Sequence, residues 1–99
     1  MPRVLFTEAA QNDFVDAIDW YEDESLEVAD RFEQAIDEIV RRIEDNPRQF
    51  APSPFDTRRA VLRRFPYLLI FRERADACYV VAVFHTSRDP SLWQERVSE

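Results

Sequence analysis

Histidine occurs once in this chain, at position 85, and Thr86, Ser87, Arg88 and Asp89 follow it directly. Imidazole beside a guanidinium is equipped to move a proton next to a bound phosphate, because His titrates near pH 7 and Arg grips phosphate oxygens through paired N–H groups. His85 and Arg88 are therefore the candidate catalytic pair of a nucleotide-cleaving site. The same residues also describe a strand-end histidine hydrogen-bonded to its own loop, and the sequence leaves both readings open. A hydrolytic Ser–His triad has less support, since no oxyanion loop accompanies Ser87. Cys78 is the only cysteine and sits in an apolar run, which excludes an internal disulfide or a cysteine metal centre and reads as a small buried hydrophobe. With one His, a metal would depend on carboxylates that recur on solvated helix faces, so no metal is expected. No cofactor is expected either: the chain has no Gly, and the Rossmann and P-loop phosphate cradles need it.

The arginines carry a second signal. All 13 basic residues are Arg, and the net charge is −7. Residues 1–46 hold 14 acids and 4 arginines, whereas residues 47–99 hold 6 acids and 9 arginines, so the acid lies in the first half. The overall charge disfavours loose association with a nucleic-acid backbone. Arg58, Arg59, Arg63, Arg64, Arg72, Arg74 and Arg88 fall on β-rich segments or the loops around them. Strand alternation puts Arg59 and Arg63 on one face and Arg58 and Arg64 on the other. Such a surface suits an anionic partner, nucleic acid or acidic peptide; it equally suits a charged edge strand guarded against aggregation.

These residues need elements to hold them. The segment 3–7, RVLFT, reads as a short strand whose Thr7 caps a helix running from Glu8 to about Glu22, with Ala10, Phe14, Ala17, Ile18 and Tyr21 on one stripe. EDES (22–25) breaks that pattern as a joint of three or four residues, and Ser25 caps a longer amphipathic helix through Val28, Phe32, Ile36, Ile39 and Ile43. Pro47 stops it. RQFAPSPF (48–55) has no period and reads as an irregular connector pinned by its phenylalanines. Three β-rich runs follow at 57–65, 67–73 and 78–85, the first flanked by charge and expected outermost. The tail, with Asp89 as cap and Pro90 at the first helical position, reads as a short helix or turn. Ninety-nine residues allow a single domain over 1–99. The order β-α-α-β-β-β makes an α+β fold in which a helical hairpin covers one face of a small, mostly antiparallel sheet and leaves the other face for a partner. No apolar run approaches a signal-peptide core or a membrane span, so a cytoplasmic protein without a membrane partner is expected.

RRFPYLLIFRE followed by YVVAVFHTSRDPSLW, after an N-terminal FTEAAQNDFVDAIDWYE helix, resembles the RelE/ParE toxin superfamily of bacterial type II toxin–antitoxin modules over nearly the whole chain. The resemblance implies a microbial-ribonuclease-like fold and a cognate antitoxin encoded beside the toxin. RelE-like members cleave messenger RNA on the ribosome; ParE-like members act on DNA gyrase. RelE-type chemistry uses basic residues, often lysines, an arginine directly after the tyrosine of the pattern and a C-terminal tyrosine. Here there is no Lys, Leu68 follows Tyr67, and the terminal aromatic is Trp93. Leu cannot stabilise charge on a transferring phosphoryl group, and indole cannot accept a proton as a phenolate does. The ParE-like reading is thus favoured. In it, Arg88, Trp93 and Arg96 contact the target, with Trp93 folding back as an apolar plug or contact, and Arg59, Arg63 and Arg72 meet an acidic antitoxin. A ribosome-dependent mRNA endonuclease and a non-toxic binding module with the toxin fold are the alternatives. Exposed sheet surface would permit a homodimer without the antitoxin.

Overall fold

Two hydroxyls start the two long helices. In the computed structural model, which describes residues 3–98, Thr7 Oγ1 accepts the Ala10 N–H at 3.2 Å and Ser25 Oγ accepts the Val28 N–H at 3.3 Å. Each pairs one of the N–H groups that a first helical turn leaves free. Helix α1 spans Glu8–Glu24 and α2 spans Leu26–Asp45. The expected joint of three or four residues is corrected to one: Ser25 donates its N–H to Tyr21 O, closing α1, and at once caps α2. Glu22, Asp23 and Glu24 leave the apolar stripe yet hold no Gly or Pro, so the backbone stays helical through them. Asn46 ends α2, and its side chain accepts the Arg48 N–H at 3.1 Å to open a 3₁₀ turn at Pro47–Gln49.

The sheet has five strands in the order β1-β5-β4-β3-β2, with β1 at Val4–Phe6, β2 at Ala51–Ser53, β3 at Thr57–Val61, β4 at Tyr67–Glu73 and β5 at Cys78–His85. Among the described residues, the β1–β5 pair is parallel and the other strand pairs are antiparallel. The segment 48–55 is not wholly irregular. Its middle forms β2 against β3, which makes β3 internal rather than outermost. Pro52 and Pro54 hid this strand from pattern reading, but an edge strand tolerates proline because its outer side needs no ladder bond. The β2–β3 turn places Phe55 and Asp56 at φ 64° and 57°, left-handed backbone at about 1–2 kcal/mol each in a chain without glycine.

Both sheet faces are covered, unequally. The hairpin buries Phe32 at the centre of a cluster with Tyr21, Phe65 and Tyr67, ring centroids 5.1–5.3 Å from its own. Ile36, Ile39 and Ile43 continue that core over Leu69, Phe71 and Val80. On the opposite face, expected to be partly open, the tail folds back through helix α3 at Ser91–Gln94, and Trp93 and Val97 pack on Ile70, Val81, Ala82 and Phe84. A bulge enables this: Ile70 pairs with Ala82 and Phe71 with Val80, so Val81 has no partner in the ladder and Val81 and Ala82 both join the tail-side cluster. At the tail's start Asp89 Oδ1 accepts the Ser91 N–H at 3.0 Å as a turn contact, but the helix starts one residue later than expected: Pro90 is its N-cap, in place of Asp89, and Ser91 its first residue.

Candidate functional site

His85 closes β5, and Tyr67↔His85 is the last pair of the β4–β5 ladder. The two rings meet edge-on with centroids 5.0 Å apart. The chain then turns sharply. Thr86 N–H donates to Pro66 O at 2.8 Å and Arg88 N–H to His85 O at 3.1 Å. Ser87 N–H donates to His85 Nδ1 at 3.1 Å, with Ser87 Oγ 2.7 Å from the same nitrogen. The Ser87 N–H thereby engages the lone pair of Nδ1. Arg88 is exposed, its guanidinium over the Phe84 ring at 5.6 Å. Burial raises the Tyr67 phenol above its ordinary value, and the Arg88 charge offsets part of that. Tyr21, with its ring 6.2 Å away, is raised by burial and then by Tyr67. Both phenols are therefore neutral at pH 7, and the cluster offers donors and a fixed cation.

Trp93 and Arg96 are committed elsewhere. Trp93 is only 4% exposed, the plug of the two roles expected for it. Arg96 reaches Asp13 on α1 through two bonds, Nη1 to Oδ2 at 2.7 Å and Nη2 to Oδ1 at 3.0 Å, while Nη1 also donates to Val81 O at 3.0 Å. Asp13 Oδ2 in turn accepts the Val83 N–H at 3.0 Å. The reason lies in sheet topology. β1 pairs with β5 only as far as Val80, and beyond it the edge groups of Val81 and Val83 need partners. The ion pair supplies them in place of a strand, and its hydrogen bonds to Asp13 raise the Arg96 pKa further.

The three arginines expected to meet a partner together are not together. Arg59 pairs with Ile70 and so lies on the tail-side face, exposed. Arg72 donates to Phe55 O at 2.7 Å and Val97 O at 3.3 Å, tying the tail to the β2–β3 turn. Arg63 lies past the end of β3, where alternation has lapsed, and lines a groove of about 730 Å³ between α2 and the β3–β4 turn.

The model for the ParE toxin of the type II toxin–antitoxin system, parDE, matches residues 4–90 of this chain. The chain belongs to the ParE toxin family. Among ParE relatives, Toxin ParE2 from Mycobacterium tuberculosis, in strains CDC 1551 / Oshkosh and ATCC 25618 / H37Rv, is 27% identical over 97 residues, 97% of this chain and 92% of the relative. A chain in the solved structure of a chromosomal ParDE TA system from P. aeruginosa superposes with a TM-score of 0.73 at 22% identity, covering 88% of this chain and 98% of the other. That likeness shows the fold. The protein is thus a ParE-type toxin of a type II toxin–antitoxin system, and the family implies an antitoxin partner. Among the described residues no helix is long and apolar enough to cross a membrane.

Sequence reasoning missed Asp13 and the groove of this ParE chain. Asp13 stands one residue before Phe14 at the border of the apolar stripe, and that border position was its only local signal. The groove arginines Arg31 and Arg42 lie on the long helix, where charge reads as ordinary solvated surface.

Proposed function

We propose that this protein stops growth by binding its target rather than by cleaving RNA, that the target is DNA gyrase in the cytoplasm, and that a cognate antitoxin neutralises it. The observation carrying the reading is at the strand-end cluster. Leu68, next to Tyr67, packs toward the apolar tail-side cluster and brings no cation to the site. His85 has its Nδ1 lone pair engaged by Ser87. A general base needs a free lone pair within reach of the proton it removes, and a phosphoryl transfer needs donors or cations aimed at the charge that develops on its oxygens. Arg88, exposed and braced on Phe84, is the target contact this reading favours.

Two measurements test it. Induced expression without antitoxin, with DNA, RNA and protein synthesis followed separately, should show DNA synthesis failing first. The purified protein should inhibit supercoiling by gyrase, and Arg88→Ala should lose that inhibition while keeping its fold. The contact of the Tyr67 and His85 rings, with Arg88 exposed three residues on, favours one second reading, an mRNA endonuclease; cut messages and early loss of translation, abolished by His85→Ala, would establish it instead. Growth unaffected by folded protein would leave a non-toxic binding module.

A further inference from the structure

The tip of the helical hairpin leaves apolar side chains in water. Leu26 is 74% exposed and Trp20 58%, the two most exposed large hydrophobic residues among those described. They flank the one-residue joint at Ser25, Trp20 near the end of α1 and Leu26 at the start of α2. Helical period explains the first. Tyr21 is the last buried residue of the α1 stripe, and at 3.6 residues per turn its predecessor points about 100° away from it, out of the core. The indole is nevertheless held, because its ring meets the Tyr21 ring edge-on at 5.1 Å and 86°. Tyr21 lies 6.2 Å from Tyr67, and Tyr67 5.0 Å from His85, so neighbouring rings connect Trp20 to the loop that carries Arg88. The charge around the apolar pair has one sign: residues 4–30 hold nine acids and no Arg. Asp16, Asp23 and Glu24 stand at i−4, i+3 and i+4 from Trp20 and share its side of α1. From Asp16 to Glu24, about 12 Å of helix carries five carboxylates, roughly one per 2.4 Å, and none of the five enters an ion pair among the described residues. Duplex DNA carries one charge per about 1.7 Å.

We propose that the hairpin tip docks, with Trp20 and Leu26 as apolar anchors, on a cationic surface of the target protein that otherwise holds the DNA backbone. The proposal rests on the gyrase reading above and extends the target contact beyond Arg88. The exposed pair supplies the affinity. Trp20 offers a large contact area from a ring already braced on Tyr21, so docking costs it little freedom. The carboxylates around it decide the partner. They pair with the arginines and lysines that grip phosphate, and they steer the encounter toward such a surface. Other occupants meet the same charge with the wrong sign. A second copy of this chain would set carboxylates against carboxylates, and nucleic acid would bring phosphates to them.

The test uses the full-length protein and purified gyrase, either free of DNA or saturated with linear duplex, with affinity and association rate measured at low and high salt. Trp20→Ala should weaken binding at least tenfold and Leu26→Gln at least threefold. The triple variant Asp16→Asn/Asp23→Asn/Glu24→Gln should slow association at least tenfold at low salt and lose most of its salt dependence. Saturating the enzyme with duplex should weaken wild-type binding at least tenfold. Asp37→Asn/Asp45→Asn, farther along α2, should stay within twofold. All these positions are exposed, and thermal melts check that the variants fold. Undiminished binding to DNA-saturated enzyme would overturn the partner chemistry assigned here. Tip variants that inhibit gyrase normally, while Arg88→Ala abolishes inhibition, would keep the gyrase reading and overturn this surface. So would a wild-type chain that dimerises through the tip, its dimer broken by Trp20→Ala, since a second copy would then be the occupant. A wild type that binds gyrase in neither state is a different result: it overturns the gyrase reading and the docking surface with it.

Discussion

Replacing Asp13 with Ala should destabilise this protein more than the loss of any other single carboxylate on α1. Asp13 accepts three hydrogen bonds, one from Val83 N–H and two from Arg96. Removing it leaves the Val83 N–H unpaired at a part-buried sheet edge, which costs about 1–3 kcal/mol. Arg96 loses its partner, but its side chain is 30% exposed and keeps Val81 O, so screening holds that part to about 1 kcal/mol rather than the larger penalty of a broken buried pair. Alanine returns about 0.5 kcal/mol through its helix propensity. The net is about 2 kcal/mol. With a urea m-value near 2 kcal/mol/M, the unfolding midpoint should fall by about 1 M with the slope unchanged. Asp13→Asn, which keeps an acceptor for Val83 but not the charge, should fall about halfway. Asp16→Ala, on the exposed side of the same helix, should stay within about 0.5 kcal/mol. Equal midpoints for Asp13→Ala and Asp16→Ala would refute the claim that this ion pair completes the β5 edge.

Three further outcomes follow from burial and side-chain hydrogen bonding. Trp93→Ala should cost about 3 kcal/mol or more in the same urea series, with Trp93→Phe much milder, because the indole fills the tail-side cluster; an unmoved midpoint would show that the tail does not pack there. Phenolate absorbance should show the folded tyrosines titrating above 10.0, Tyr21 and Tyr67 through burial and Tyr79 first through its 2.6 Å hydrogen bond to Asp76. Since their folded pKa values are raised, the stability they contribute is complete below the unfolded value near 10 and is lost as pH rises through the folded values, so unfolding free energy should drop on the alkaline side. Asp76→Asn should return only the Tyr79 component toward its ordinary position. Cys78, fully buried with its thiol pKa raised by burial and then by Glu73, should resist alkylation in the native state and react at the rate of global unfolding; fast labelling of folded protein would contradict its burial.

The helices were legible because their signals are local. Thr7 and Ser25 cap within three residues of themselves, and the spacing of Phe32, Ile36, Ile39 and Ile43 marks a face without reference to anything beyond the helix. β4 and β5 were legible for the same reason, as was the resemblance carried by their ends. β2 was not, because the prolines that make it a poor strand in isolation are tolerated only once β3 supplies a partner on one side. At the candidate site, His85 and Arg88 were marked by residue type, but where their side chains go was not: the His85 ring meets Tyr67, the Arg88 guanidinium lies over Phe84, and the His85 Nδ1 lone pair is engaged only because the turn brings Ser87 back onto the ring.

The amino-acid order alone thus determined the helical hairpin, the strand segments, the acid and arginine halves, and the membership those patterns announce, since each rests on interactions within a few residues or on composition. Only the tertiary structure decided which arginines are free. Arg96 is taken by Asp13 across 83 residues and Arg72 by the carbonyl of Val97 across 25, while Arg63 and Arg64 are left at the rim of an apolar groove. A guanidinium has the same chemistry everywhere in the sequence, and what it binds is set by which unpaired backbone group or carboxylate the fold brings within hydrogen-bond reach.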